Sequence, residues 1–303
     1  MLAGAAAWGS TGTAAHFAPA GASPVSIGAA RIAVGGVLLL VVAVRTRASR
    51  QAVRALLAGP GAARAALVVA AAAVGGYQLC FFTAVHETGV AVGTVVAIGS
   101  GPVFTGALSR LTGGPPLDRR WMLATAAAVA GCTVLVTSGS AAGAKPGGVL
   151  LALAAGLCYG SYAVAASRLI LAGHSESAVM GLLFGGAAVL LAPVLATTPA
   201  GWLLTVRGLS VTSYLGVVTT AAAYLLYGRG LRTVPAPVAV TLGLAEPVVA
   251  AVLGVAVLGE RLTPAAIAGL LLVGLALAAL AVGRGAAAGA PAAAVTAVTG
   301  PPG

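Results

Sequence analysis

The amino-acid sequence predicts an all-α membrane protein with ten transmembrane helices, arranged as two inverted repeats of five helices each. Three observations predict this fold class. Only 7% of the 303 residues are charged, whereas a soluble domain carries about 25%. Apolar runs of nearly membrane-spanning length follow one another along the whole chain. The two halves of the sequence also share short motifs in the same order.

Ten apolar runs make up most of the chain, and most approach the ~20 residues that a spanning helix needs. The runs are continuous rather than alternating, which favours helices over the strands of a membrane barrel. The first run is short, so we expect either a helix with little tilt or a true start upstream of Met1. The runs cover residues 2–18, 25–44, 65–85, 90–109, 121–138, 148–168, 177–196, 211–228, 235–257 and 264–282.

The basic residues between these runs predict the orientation of the chain in the membrane. Counted over alternate gaps, twelve Lys and Arg residues lie on one side, and only Lys145, Arg207 and Arg261 lie on the other. The positive-inside rule places the richer side in the cytoplasm, so both termini are predicted to be cytoplasmic in a bacterial plasma membrane. The basic residues form no continuous patch, which argues against nucleic-acid binding. No cleavable signal peptide is predicted, because the first run lacks a positive n-region.

Paired motifs indicate an internal repeat. Trp8-Gly9-Ser10 parallels Tyr159-Gly160-Ser161, and Pro102 parallels Pro247. Five helices are an odd number, so the second copy must enter the membrane from the opposite side, as in many transporters with a midplane substrate site. Further pairs are Ser23 with Ser175, residues 79–82 with 224–227, Gly114 with Gly259 and Leu117 with Leu262. The predicted units are a first repeat (1–138), a linker (139–147), a second repeat (148–283) and a disordered cytoplasmic tail (284–303).

Several of these segments resemble the EamA-type transporters of the drug/metabolite transporter superfamily, over nearly all of residues 1–283. The resembling segments are Trp8-Gly9-Ser10, Ser23-Pro24 with Arg31, residues 246–250 (EPVVA) and residues 258–263 (LGERLT), followed by Gly269 and Gly274. The first copy departs from the pattern, because Gly101-Pro102 replaces Glu-Pro and residues 114–117 (GPPL) replace Gly-Glu-Arg-Leu. The resemblance implies ten spans, inverted repeats and the export or exchange of small metabolites such as amino acids.

Two charged residues inside predicted helices are the main candidates for a functional site. Glu246 is the only carboxylate well inside a predicted helix, where an ionisable group is costly and therefore suggests function. It could couple protons or bind a substrate amine, or it could be a structural, hydrogen-bonded carboxyl. Arg31 could bind a substrate carboxylate through its two-pronged guanidinium, or it could pair structurally or reach outward to the interface. Pro247 and Pro102 are predicted to break their helices.

Aromatic and amide side chains on predicted helices 1, 3, 6 and 8 could complete a substrate cavity, because aromatic walls with a few polar groups suit small ligands. Interfacial aromatic belts are the competing interpretation. The candidate residues are Trp8, Tyr77, Gln78, Phe81, Tyr159, Tyr162, Tyr224 and Tyr227.

The sequence therefore predicts a secondary transporter that exports or exchanges a small zwitterion or weak acid, with proton coupling as a hypothesis. A passive channel or a non-transport membrane protein is the alternative. An enzyme is not expected, because Glu246 lacks a second membrane carboxylate and no His lies mid-helix. No cofactor or metal is predicted, since Cys80, Cys132 and Cys158 have no partner at metal-ligand spacing. The expected partners are a small-molecule substrate and the lipid bilayer, and a homodimer is left open.

Overall fold

A computed structural model of the protein describes residues 1–137, 145–259 and 261–288, and these residues form helices joined by short turns. We number the α-helices in chain order. They are α1 (Leu2–His16), α2 (Pro24–Val44), α3 (Arg47–Leu57), α4 (Gly61–Thr88), α5 (Val90–Leu111), α6 (Arg119–Thr137), α7 (Pro146–Leu171), α8 (Glu176–Thr197), α9 (Val206–Gly230), α10 (Ala236–Leu258) and α11 (Pro264–Ala288), with a short 3-10 turn at Gly201–Leu204 before α9.

Within the described ranges, seven helices are long and apolar enough to cross a membrane: α2, α4, α5, α7, α8, α9 and α10. The protein is therefore a multi-pass membrane protein. The remaining three predicted spans are also helical, as α1, α6 and α11. However, α1 has 15 residues and so measures only ~22 Å against a hydrocarbon core of ~30 Å. The ten-span topology stays a prediction.

The positions of two helices differ from the sequence-based expectations. The helix α3 lies in a gap where no element was predicted, because five of its 11 residues are polar or charged and they interrupt the apolar residues along the sequence. Its Val53 and Leu56 are buried against α2 and α8, while Arg50 and Arg54 are exposed. The last helix continues to Ala288, so residues 284–288 are not part of a disordered tail as predicted. The rest of that predicted tail and most of the predicted linker lie outside the described residues.

The helix contacts repeat between the two halves of the chain. The helix α2 packs against its predicted counterpart α8, and α6 packs against its counterpart α11. The contacts of α7 with α4 and α5 match the contacts of α1 with α9 and α10. These main contacts are thus shared by the two halves, whereas the contact of α4 with α5 has no counterpart of similar extent between α9 and α10.

Paired glycines allow two of these matching contacts. At Gly9 in α1, an added Cβ would lie 2.6 Å from the Cβ of Val249 in α10. At Gly160 in α7, an added Cβ would lie 2.9 Å from the backbone nitrogen of Thr105 in α5. Small residues permit such close helix approach in membranes. The predicted pairing of Trp8-Gly9-Ser10 with Tyr159-Gly160-Ser161 thus corresponds to equivalent contacts in space.

The two prolines in paired positions act differently. In α10 the α-helical pattern is interrupted at Leu244, between Ala236–Gly243 and Ala245–Leu258, as expected three residues before Pro247. In α5 the helix continues through Pro102, so the predicted break there is wrong. A proline removes one helical hydrogen bond, and close packing of α5 on Gly156 and Gly160 of α7 holds the remaining turns in line.

The helix α9 is widened next to the centre of the molecule. Residues Leu215–Ala222 form a π-helical segment, and the hydroxyls of Thr219 and Thr220 donate to the carbonyl of Leu215 at 2.8 and 2.9 Å. Such hydrogen bonds from side-chain hydroxyls compete with the backbone hydrogen bonds of the helix and bend it. Tyr224 follows this segment by two residues, so the widened turns help to set where that side chain lies.

Candidate functional site

A small internal cavity lies where α1, α2, α4, α5, α7, α9 and α10 meet. Its volume is about 30 Å³. None of the lining residues lies in the first or last turn of its helix, so the cavity is near the middle of the bundle. The lining residues are Trp8, Arg31, Tyr77, Ile98, Tyr159, Tyr162, Tyr224 and Glu246.

Arg31 reaches the cavity from α2, and only some of its guanidinium N–H groups have hydrogen-bond partners there. Its Nη2 donates a long hydrogen bond of 3.5 Å to the Oε1 of Gln78. Its Nε is buried and has no hydrogen-bond partner among the described residues. The ion pair between Arg232 and Glu176 is the only one within the described part of the chain, so Arg31 and Glu246 line the cavity without bonding to each other. The guanidinium therefore has donors available for a ligand.

Glu246 reaches the cavity from the broken helix α10. It lies in the first turn of the half that begins at Ala245. The free N–H groups at such a helix start favour a nearby negative charge. The opposite side of this turn is closed by α1, because an added Cβ at Gly9 would lie 2.7 Å from the carbonyl oxygen of Glu246. The break at Leu244 thus places the Glu246 carboxyl at the cavity. It also creates a helix start whose free N–H groups favour the negative charge of that carboxyl.

Aromatic rings form most of the cavity wall. The Trp8 ring lies 5.0 Å from the ring of Tyr224, and Tyr159 lies 5.3 Å from Tyr162. The hydroxyls of Tyr162 and Tyr224 form a hydrogen bond of 3.1 Å. The Nε1 of Trp8 is buried and lacks a partner among the described residues, so it is a further free donor in the wall.

The structure brings the sequence-predicted site residues together. Seven of them line the cavity directly, and Gln78 contacts it through Arg31. Tyr227 does not line the cavity but packs behind the lining residue Trp8, with the two ring centroids 5.5 Å apart. Phe81 stacks on Tyr77 at 5.5 Å. Their grouping argues against an interfacial belt for these residues, because belts lie at the ends of the spans.

Two site residues were missed by the sequence analysis. Ile98 of α5 lines the cavity, and Phe184 of α8 supports it, with its ring 4.0 Å from that of Tyr224. Both are apolar residues within apolar runs, so no local signal distinguishes them from packing residues. The backbone carbonyl of Phe184 lies against Gly36 of α2, so packing between the two halves places this residue.

The described conformation is closed around the cavity. A volume of about 30 Å³ corresponds to on the order of one water molecule, whereas small-molecule sites measure ~300–1,000 Å³. A metabolite can enter only if the helices move apart. No group of three His, Cys, Asp or Glu residues suited to a metal ion occurs within the described residues.

Comparison with known proteins assigns the chain to a class. The chain is similar to the uncharacterized transporter YwfM of Bacillus subtilis (strain 168), with 40% identity over 267 residues, which covers 88% of this chain and 87% of the relative. A solved structure described only as a crystal structure of protein superposes with a TM-score of 0.76 over 92% of this chain and 95% of its own. Its 20% identity supports the fold alone.

The bundle and its central polar site define a multi-pass membrane transporter. The model of the EamA-like transporter family matches the chain twice, over residues 1–137 and 146–282. The chain therefore belongs to the EamA-like transporter family, as the sequence resemblance indicated, and two copies of the family unit make up most of its length.

Proposed function

We propose that this protein is a secondary transporter that exports or exchanges a small zwitterionic metabolite, such as an amino acid, across the bacterial plasma membrane. The observation that carries the proposal is the position of Arg31 and Glu246. These opposite charges line one central cavity but are not bonded to each other. A ligand with one negative and one positive group could neutralise both at once, which fits a zwitterion better than a neutral or singly charged solute.

In this proposal Arg31 binds the carboxylate of the substrate. Its free Nε and the free Nε1 of Trp8 are buried donors, and each lacks a partner among the described residues. Hydrogen bonds to a carboxylate are stronger than neutral ones, and the planar guanidinium can hold both oxygens. Gln78 limits where the guanidinium can lie through its contact with Nη2.

Glu246 and the aromatic wall bind the amine. A carboxylate can accept two or three ammonium hydrogen bonds, and the faces of Trp8 and Tyr224 attract a cation within ~6 Å of the ring. A proton on Glu246 would remove its charge and weaken the site for an ammonium group. Substrate and proton would then compete for the same carboxyl, which is the basis for proton antiport.

Movement of the two family units against each other would open the cavity in turn to each side of the membrane. The break in α10 at Leu244 and the π-helical segment of α9 are the places where backbone bonding is least regular, and both adjoin the cavity. Broken helices at the interface of inverted repeats are typical of secondary transporters. Ten spans with inverted units are part of this proposal.

Counterflow in proteoliposomes tests the proposal. Vesicles loaded with one amino acid should take up the labelled form of that amino acid, with saturation. Analogues that lack only the amine or only the carboxylate should compete much more weakly, because each loses one of the two charge contacts. A linear, non-saturable flux would instead indicate a channel. Equal competition by both analogues would overturn the two-charge site.

A further inference from the structure

A large groove on the outside of the bundle is separate from the central cavity. It lies between α4, α5 and α7 and has a volume of about 750 Å³. Its α4 side is lined by small side chains, including Ala62, Ala65 and Val69, and all three are exposed. Small side chains leave room beside the helices, and the exposed lining faces the surrounding lipid.

One end of this groove is basic. Arg168, in the last turn of α7, lines the groove, and His174 lies at the same end. The guanidinium of Arg168 is exposed and has neither an ion-pair nor a hydrogen-bond partner in the described parts of the chain. The rest of the lining is predominantly apolar. A single ligand that fills the groove must therefore combine an apolar body with an anionic end.

The length of the groove matches one leaflet of a bilayer. On α7 it extends from Ser161 to the end of the helix near Leu171, about ten residues or ~15 Å. Half of a ~30 Å hydrocarbon core is the same length. Arg168 lies within one turn of the helix end. The end of a 26-residue spanning helix is expected at the headgroup region, because the helix is longer than the ~30 Å hydrocarbon core. The basic residues of the gaps place this end at the cytoplasmic face, where anionic lipids attract basic side chains.

We propose that this groove is a binding site for one anionic phospholipid of the cytoplasmic leaflet. The acyl chain lies along the alanine-lined surface of α4 and α7, and the phosphate bonds to Arg168, with His174 beside it. Because α7 also carries Tyr159 and Tyr162 in the central cavity, the lipid contacts a helix of the substrate site. This inference does not depend on which substrate is transported.

Native mass spectrometry of the full-length protein in uncharged detergent tests the proposal. Phosphatidylglycerol and phosphatidylethanolamine with identical acyl chains are added separately, and the bound fractions are measured. The wild type should retain phosphatidylglycerol in preference. Arg168→Gln should reduce that affinity about fivefold, the effect of one charge near an anionic headgroup, and should remove the preference. Arg229→Gln, at the end of α9 and outside the groove, should bind lipid as the wild type does.

A second pair of variants tests the apolar part of the site. Ala65→Phe places a bulky ring in the groove and should weaken binding of both lipids, whereas Val68→Phe, on an exposed position outside the groove lining, should not. Equal retention of the two lipids by the wild type would overturn the headgroup assignment. Equal effects of Ala65→Phe and Val68→Phe would overturn the groove itself.

Discussion

At the scale of single residues, Arg31 and Glu246 are the costliest features of the protein. Charged groups within a membrane span are expensive and generally require partners. Here each faces the same cavity, and Arg31 bonds only weakly to a neutral amide at 3.5 Å. A direct ion pair would have been the simpler structural solution, but none joins these two described residues. This arrangement is the reason why we propose a ligand that binds between them rather than a purely structural role.

The first residue-level prediction concerns Arg31→Lys. Lysine keeps the charge but loses the planar fork and the Nε donor, so we expect a rise in the half-saturating substrate concentration of about tenfold, as for loss of one charge-assisted hydrogen bond of ~1.5 kcal/mol. Counterflow in proteoliposomes measures the change. Arg45→Lys, at the exposed end of the same helix, is the matched control and should be unchanged. Wild-type affinity in Arg31→Lys would show that Arg31 does not bind the substrate.

The second prediction concerns Glu246→Gln. Glutamine keeps the shape and most hydrogen bonds of a neutral carboxyl but cannot take up or release a proton. We expect normal expression, loss of uptake driven by a pH gradient, and retained substrate exchange, although with weaker binding. Glu176→Gln serves as the control, since this carboxylate lies outside the cavity and makes a long ion pair of 3.6 Å with the exposed Arg232.

The structural alternative for Glu246 gives a different pattern. If the carboxyl only supports the broken helix, the Gln variant should be nearly normal in both assays and Glu246→Ala should express poorly. Undiminished gradient-driven flux in Glu246→Gln would rule out the coupling role.

At the scale of elements, close helix crossings depend on individual glycines. The helices α6 and α11 meet at Gly131 and Gly269, where an added Cβ on Gly269 would lie 2.6 Å from the carbonyl oxygen of Gly131. Backbone atoms cannot move aside as a flexible side chain can. The contact therefore tolerates no larger residue without separating the helices.

The third prediction follows from this crossing. Gly269→Ala should destabilise the protein by about 1–3 kcal/mol through overpacking. Gly274→Ala, one and a half turns further along α11, meets nothing within 4 Å and should be neutral or slightly stabilising. Thermal unfolding in detergent should separate the two variants. Similar melting temperatures for both would contradict the close crossing.

At the scale of the whole molecule, orientation rests on the distribution of basic residues. The fourth prediction is that reporter fusions after Arg54, Arg120 and Arg284 report the cytoplasm, while fusions near Lys145 and Arg207 report the opposite side. Fusions at Arg120 and Lys145 that report the same side would show that the ten-span model with inverted units is wrong.

The sequence alone determined the membrane class, the positions of the main helices and the family. These properties follow from local composition, because a bilayer requires apolar runs of a set length and the family motifs are contiguous. It also selected Glu246 and Arg31, since a charge inside an apolar run is visible without a structure. It did not reveal α3, whose buried residues Val53 and Leu56 are separated by the exposed Arg54.

Only the tertiary structure decided which of these residues meet. Arg31 and Glu246 are separated by most of the chain, and their placement on one cavity depends on how seven helices pack. The contributions of Ile98 and Phe184, the continuity of α5 through Pro102 and the widening of α9 were likewise decided by packing between helices. Composition sets which segments enter a membrane, but close contact between small residues on different helices sets where their side chains converge.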